Sequence, residues 1–256
     1  MQTTQWGPEG WILFHVLPFY YANRNPRLKQ REQFKEFYVN LKDVLPCIYC
    51  RQSYKKFLEE TPIDDALNGF MPLLKWTYKV HNLVNKKLRD QGYLETPDPT
   101  IEQVLDRFKA FCVPPDNTNR RWHMDPKKWL GPILNFIATI VFNYDEKEAE
   151  KVEGYRRLFK ILPQVITGPE MVILRKVLKE NPIDLSSQDA MIKWYYNVIE
   201  ELIKGLGGNI HNVKDLKELN LDEAYKSFET YNDKFDSRRA KCKQKSCRIL
   251  DKPKTV

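Results

Sequence analysis

Two cysteines two residues apart, Cys47-Ile-Tyr-Cys50, are the feature of this chain best suited to chemistry. That spacer lets both sulfurs reach disulfide distance within one turn. Pro46 precedes them directly and fits a first-turn position, so the spacing predicts a helix that opens at Leu45-Pro46-Cys47. The free N–H groups and the dipole of a helix start stabilise a thiolate, which makes a better nucleophile and leaving group. Taken alone, the motif also suits half of a zinc site or a thioredoxin-like redox centre. A thioredoxin fold needs strands around the motif, and none are evident. Zinc needs two further ligands, for which Cys242 and Cys247 form the only obvious second pair.

A second set of residues lies on another helical segment, Trp76-Thr-Tyr-Lys-Val-His81-Asn82-Leu-Val-Asn85-Lys-Lys-Leu88. His81 and Asn85 are four apart and share a face, with Asn82 beside them and Trp76 about one and a half turns earlier. Burying a lone histidine is common. Three polar side chains beside an aromatic on an otherwise buried face are costly unless a ligand hydrogen-bonds to them.

The elements that must position these groups are helical. The chain has 256 residues, only 10 of them Gly, and period-2 strand patterns are almost absent. With 42% hydrophobic and 30% charged residues it is globular, long enough for one large domain or two ordinary ones, and neither fibrous nor disordered. Trp11, Phe14, His15, Pro18 and Phe19 share one face of a first helix; further helices are expected over about 31–44, 47–60, 70–89 and, shorter, 101–111. Val113-Pro-Pro-Asp-Asn-Thr-Asn119 reads as a boundary, after which helical segments resume at about 129–142, 148–162, 169–180 and 187–206. The prediction is an all-α protein with a first unit over 1–115, a second over 116–232 and a tail over 233–256.

The second unit echoes the first. Leu58-Glu-Glu-Thr-Pro-Ile-Asp64 resembles Leu178-Lys-Glu-Asn-Pro-Ile-Asp184, Lys75-Trp76-Thr-Tyr-Lys-Val80 resembles Lys193-Trp194-Tyr-Tyr-Asn-Val198, and Leu45-Pro46 matches Leu162-Pro163. Nearly constant offsets of this kind are what a duplication leaves behind. The second copy lacks the cysteines and the His-Asn pair, so it cannot share the first unit's chemistry.

Charge is concentrated in the tail. Of a net +8, residues 234–256 supply nine Lys/Arg against two acids. Such a tail attracts nucleic acid or acidic partners, or is simply a solvated terminus. It also holds Cys242-Lys-Gln-Lys-Ser-Cys247, whose lysines would lower the thiol pKa. The longest apolar stretch, Leu130–Phe142, is too short to span a bilayer, and the first residues carry no secretory pattern. No membrane association is therefore expected.

In order and spacing, Trp6-Gly-Pro-Glu-Gly-Trp11-Ile-Leu-Phe-His15, Leu45-Pro-Cys47-Ile-Tyr-Cys50 and Trp76…His81-Asn82-x-Val84-Asn85-x-x-Leu88 together resemble the Erv/ALR family of FAD-linked sulfhydryl oxidases, in the form carried by large DNA viruses. The resemblance covers roughly residues 1–112. It implies a four-helix bundle plus a short fifth helix, with FAD held between the helices. It further implies an enzyme that passes electrons from protein or small dithiol substrates through Cys47 and Cys50 to FAD and on to O2, giving H2O2.

Residue by residue, Cys50 matches the cysteine beside the flavin ring and Cys47 the outer one attacked by substrate. Trp11 and His15, then Trp76, His81, Asn82 and Asn85, match cofactor-contacting positions. Tyr49 could pack near the flavin, Phe108 stands for the fifth-helix aromatic, and Lys86 or Lys87 would replace a phosphate-contacting basic residue where this chain has Asp90. Family members carry a relay pair on a flexible arm, for which Cys242 and Cys247 are the candidate here, the alternative being simple exposed thiols. The family disulfide that ties down the fifth helix is missing, because Ile101 or a neighbour stands where its first cysteine belongs.

The resemblance also suggests a thioredoxin-like viral relay protein as partner, a homodimer (or a decayed second copy filling the partner's place), and a location at the host-cytoplasmic assembly site or in the virion. No metal is expected. Two rival readings come from other classes: a non-enzymatic helical adaptor, or a zinc-binding module, each with a nucleic-acid-binding basic tail.

Overall fold

Helices dominate the described residues, which are 3–21, 25–113 and 123–207 of a computed structural model. The first unit comprises α1 (Thr3–Val16), α2 (Leu28–Val44), α3 (Ile48–Glu60), α4 (Phe70–Asp90) and the short α5 (Ile101–Lys109). The second comprises α6 (Pro126–Val141), α7 (Ala149–Val165), α8 (Pro169–Glu180) and α9 (Gln188–Gly205). A two-residue antiparallel bridge, Cys112–Val113 with His123–Met124, closes the link between them. The all-α expectation is met.

Two helix starts among the described residues carry a side-chain cap. Thr100 starts α5 with a reciprocal cap: its hydroxyl accepts from the Gln103 N–H, while its own N–H donates to the Gln103 side chain. Ser187 caps α9 by accepting from the Ala190 N–H. The first helix departs from the sequence reading at both ends. It begins near Thr3, eight residues before Trp11, and beyond Val16 it tightens into a 3-10 turn over Leu17–Tyr20. Pro18 lacks the N–H that α-helical continuation would need.

The core of the first unit is aromatic, and several of its polar tips bond to backbone carbonyls. Tyr54 donates to the Tyr38 carbonyl at 2.9 Å and Tyr38 to the Phe14 carbonyl at 3.0 Å, which ties α3 to α2 and α2 to α1. Trp76 lies edge-on to Tyr38 and donates its indole N–H to the carbonyl of Thr61, the C-cap of α3.

One detail of this packing recurs after the boundary expected from sequence. Trp194 donates to the carbonyl of Asn181, the C-cap of α8, and lies edge-on to Phe159. The Leu-Pro match does not hold as a structural correspondence. Pro46 falls outside α2, whereas Pro163 lies within the last turn of α7. The structural counterpart of the Leu45–Cys47 connection is Ile166–Gly168.

Candidate active site

The cysteine motif sits where α2 turns into α3. Proline disfavours helical backbone in the residue before it. Leu45 is accordingly non-helical and α2 stops at Val44. Cys47 is the extended N-cap residue of α3, its carbonyl accepting from the Arg51 N–H at 2.9 Å. Pro46 therefore lies before the cap and not in the first turn, and Cys50 occupies the third helical position. The two sulfurs differ in setting. Cys50 is half-buried and lines a cavity; Cys47 is 5% exposed, packs into the core and does not line it. The exposed residue at this corner is Ile48, at 51%.

The cavity measures about 590 Å³ and lies among α1, α3, α4 and α5. That is within the usual range for a cofactor site, roughly 300–1,000 Å³. Its wall is largely aromatic, with Trp6, Trp11, Phe14, Tyr54, Phe57, Tyr78 and Phe108, and its polar groups include Ser53, His81, Asn82, Asn85, Lys87 and Arg107.

Of those polar groups, His81 is held in place by a relay of hydrogen bonds. Thr77 donates its hydroxyl proton to the Leu74 carbonyl, so its oxygen accepts from Nδ1–H of His15 at 3.3 Å. His15 Nε2 must then accept, and it does so from Nδ1–H of His81 at 2.9 Å. His81 is left with Nε2 as an acceptor. Its ring stacks on Trp11 at 3.7 Å and 10°, while Phe108 stacks on His15 at 4.7 Å. Burial, reinforced by Arg107 and opposed by Asp98, pushes the His81 imidazole down to about 4. Burial, then His81 and Arg107, holds His15 well below its ordinary value. Both rings are neutral at pH 7, as the relay requires.

Further along α4, Asn85 donates to Asp98 at 2.9 Å and Arg89 grips the same carboxylate through two bonds of 2.8 and 2.7 Å. The Arg89 hydrogen bond, aided by Asn85, keeps Asp98 below the usual carboxylate range. Lys87 reaches across to Ser53, whose hydroxyl bonds the Tyr49 carbonyl.

Of the residues singled out from sequence, Trp11, Cys50, His81, Asn82, Asn85 and Phe108 line the cavity. His15 stands behind His81 and acts through it. Trp76 is buried behind Phe14, on which it stacks at 5.6 Å. Tyr49 and Lys86 do not line the cavity; Lys86 pairs with Asp90 at 2.6 Å, and the neighbouring Lys87 lines the cavity instead. Cys242, Cys247 and the basic tail lie outside the described residues. Trp6, Ser53, Arg107 and Phe136 also line the cavity and were not singled out. Arg107 adjoins Phe108 and could have been found from it; nothing in the sequence points to Phe136. Trp6 Nε1 is buried with no hydrogen-bond partner among the described residues.

Among the described residues no group of three or more His, Cys, Asp or Glu gathers as a metal cluster would. No described helix is long and apolar enough to cross a membrane.

A half-buried dithiol cysteine in the wall of an aromatic, cofactor-sized cavity inside a helical bundle defines a cofactor-linked thiol redox protein. The Erv1 / Alr family model matches residues 8–108, which hold all of α2, α3, α4 and the cysteine motif. A probable FAD-linked sulfhydryl oxidase of Acanthamoeba polyphaga mimivirus is 35% identical over 123 residues, covering 48% of this chain and 81% of that protein. The FAD-linked sulfhydryl oxidase of African swine fever virus (isolate Pig/Kenya/KEN-50/1950) is 30% identical over 83 residues, 32% of this chain and 67% of its own. The mitochondrial FAD-linked sulfhydryl oxidase ERV1 of Saccharomyces cerevisiae is 29% identical over 85 residues, 33% of this chain and 43% of that protein. No solved structure matches significantly. The chain belongs to the Erv1/Alr family.

Proposed function

We propose that this protein is an FAD-dependent sulfhydryl oxidase that makes disulfide bonds, taking electrons from dithiol substrates through Cys47 and Cys50 and delivering them through FAD to O2. The observation that carries this reading is Cys50 in the wall of an aromatic cavity of cofactor size. The residues suit the cofactor. Trp11, Phe14, Tyr54 and Phe108 offer flat apolar faces, Lys87 and Arg107 offer charge for a diphosphate, and His81, Asn82 and Asn85 offer hydrogen bonds. The buried Trp6 N–H is a donor for which a ligand would supply the acceptor.

In the oxidised enzyme Cys47 and Cys50 form a disulfide. A substrate thiolate attacks the Cys47 sulfur and displaces Cys50 as a thiolate; the second substrate thiolate then attacks the mixed disulfide, leaving oxidised substrate and a reduced pair. FAD, when bound, supplies a two-electron acceptor that is reoxidised by O2, giving H2O2. The protein's part is to hold Cys50 at the cavity, to keep His15 and His81 neutral and oriented, and to exclude water with its aromatic wall. Because Cys47 is 5% exposed, a protein substrate needs the corner around Ile48 to open before attack.

Other parts of the reading are proposals of the same kind. Residues 1–115 form the oxidase unit, 116–232 a helical unit without redox motif, and 233–256 a basic tail whose Cys242 and Cys247 relay electrons from a substrate or a thioredoxin-like viral protein. That tail is also the one segment we would assign to nucleic-acid binding. Of the two assemblies expected, homodimer or intrachain pair, packing of α6 on α1 and α7 on α2 supports the second. The viral relatives support action at a host-cytoplasmic assembly site or in the virion.

The visible spectrum of the purified full-length chain tests the main reading. A protein-bound yellow band that bleaches anaerobically with a dithiol is expected; a colourless protein would leave the adaptor reading in its place.

A further inference from the structure

The second helical unit has no redox motif, yet it is seated directly on the first. Its α6 packs along α1 and its α7 along α2, and these are among the most extensive helix contacts in the described structure. With α6 and α7 in the places of α1 and α2, this is like-on-like pairing, as a two-fold axis would produce between identical subunits. Both α1 and α6 carry an internal Gly-Pro step, Gly7-Pro8 and Gly131-Pro132.

Each of the two contacts is made close by a glycine. At Gly154 of α7, an added Cβ would lie 3.0 Å from Asp43 Cβ and 3.1 Å from Val44 Cγ1 of α2, and the Gly154 carbonyl accepts from the buried Asn40 side chain at 2.8 Å. At Gly10 of α1, an added Cβ would lie 2.9 Å from the ring of Phe136 of α6. That ring passes over Gly10, meets Trp6 with centroids 6.0 Å apart, and reaches the cavity, whose wall it joins. Nearby, Asn135 of α6 donates to Glu9 of α1 at 3.1 Å.

We infer that the second unit completes the flavin cavity within one chain, with Phe136 as a positioning residue that closes the wall beside Trp6. This rests on the oxidase reading above. Phe136 does no chemistry and lies outside the residues matched by the family model, which end at 108. Its role is to hold the Trp6 ring and keep water from that side of the cavity, so it governs how long flavin stays bound. Gly10 is required because any side chain there would push the Phe136 ring away.

The test compares FAD release from the full-length protein and its variants, read as the activity regained by excess apo-D-amino-acid oxidase as an FAD trap, with folding followed by far-UV circular dichroism. Phe136→Ala and Gly10→Ala are expected to release flavin at least tenfold faster than the parent while remaining helical, and Phe136→Leu, which restores bulk, to recover most of the retention. Leu158→Ala, a fully buried α7 position away from the cavity, controls for general loosening of the second unit and is expected to release flavin at the parent rate. Release from Phe136→Ala at the parent rate, or equally fast release from Leu158→Ala, would overturn the inference. A parent protein that binds no flavin would instead overturn the oxidase reading.

Discussion

In the first unit, Trp76 sits edge-on to Tyr38 and bonds the carbonyl that ends α3; in the second, Trp194 sits edge-on to Phe159 and bonds the carbonyl that ends α8. The frames agree and the chemistry does not. The N-cap and third positions of the motif helix are Cys47 and Cys50 in one unit, Gly168 and Met171 in the other. Five and nine residues beyond the tryptophan stand His81 and Asn85 in the first unit but Ile199 and Ile203 in the second. The frame is therefore stable without the polar groups. In the first unit those groups cost desolvation, and a relay of bonds through His81, His15 and Thr77 offsets it.

The largest effect should come from the chemistry that one unit has and the other lacks. Cys50→Ser should lower dithiol-dependent oxygen consumption by about three orders of magnitude or more, as expected for loss of a nucleophile that no neighbour replaces, while Met171→Ser leaves the turnover of the flavin-loaded fraction unchanged. Oxygen-electrode rates normalised to bound flavin check both.

The shared frame predicts the next effect. Trp76→Ala and Trp194→Ala should each lower unfolding free energy by about 3–5 kcal/mol, the usual cost of removing a large buried aromatic. Only Trp76→Ala should also weaken flavin retention, because Trp76 backs the cavity-lining Phe14. Chemical denaturation alongside flavin-to-protein ratios separates the two outcomes.

A histidine-linked pH effect should arise in the first unit. His81 titrates at about 4 when folded against an ordinary value near 6.5, and His15 is shifted the same way. The unfolded chain then takes up protons first as pH falls. The contribution is fully present above about pH 6.5 and is lost progressively towards pH 4, at roughly tenfold in the folding constant per pH unit for each histidine. Melting temperatures of the parent should fall over that window, and those of a His81→Phe variant should fall less.

The smallest effect concerns the exposed contact between the units. Arg51 reaches Glu148 at 3.6 Å with the carboxylate half exposed, and Glu148 also holds the buried Lys151 at 2.7 Å, so the loss due to the Arg51 pair alone, read from a double-mutant cycle of Arg51→Gln and Glu148→Gln, should be under about 1 kcal/mol, within the range of surface pairs. A larger loss in thermal denaturation would mean the pair does more than bridge the surface.

How much was legible in the sequence differs between the units in the same way. Strong 3.6-residue periodicity gave the helices of both, and the repeated Pro-Ile-Asp and Lys-Trp-x-Tyr-x-Val segments mark the shared frame. Of the cavity residues that could be read, His81, Asn82 and Asn85 are costly on a buried helical face and Cys50 stands in a redox motif, whereas Trp11 and Phe108 are ordinary core residues that only the family resemblance marked. Trp76 carries the same signal but serves the core, since an indole N–H bonded to a backbone carbonyl needs no ligand. Lys86 and Lys87 could not be told apart because neighbouring positions on a helix point about 100° apart and the sequence does not fix the phase that finely. Phe136 was invisible for a different reason: it reaches the cavity only through packing of one unit on the other, and no local pattern encodes that.

The most direct test of the account is anaerobic mixing of the flavin-loaded protein with excess dithiothreitol, following the yellow band. Rapid bleaching in the parent, and retention of a bound but unbleached band in Cys50→Ser, is the predicted result. Bleaching at the same rate in both proteins would contradict it, because electrons would then reach the cofactor without passing the sulfur at position 50.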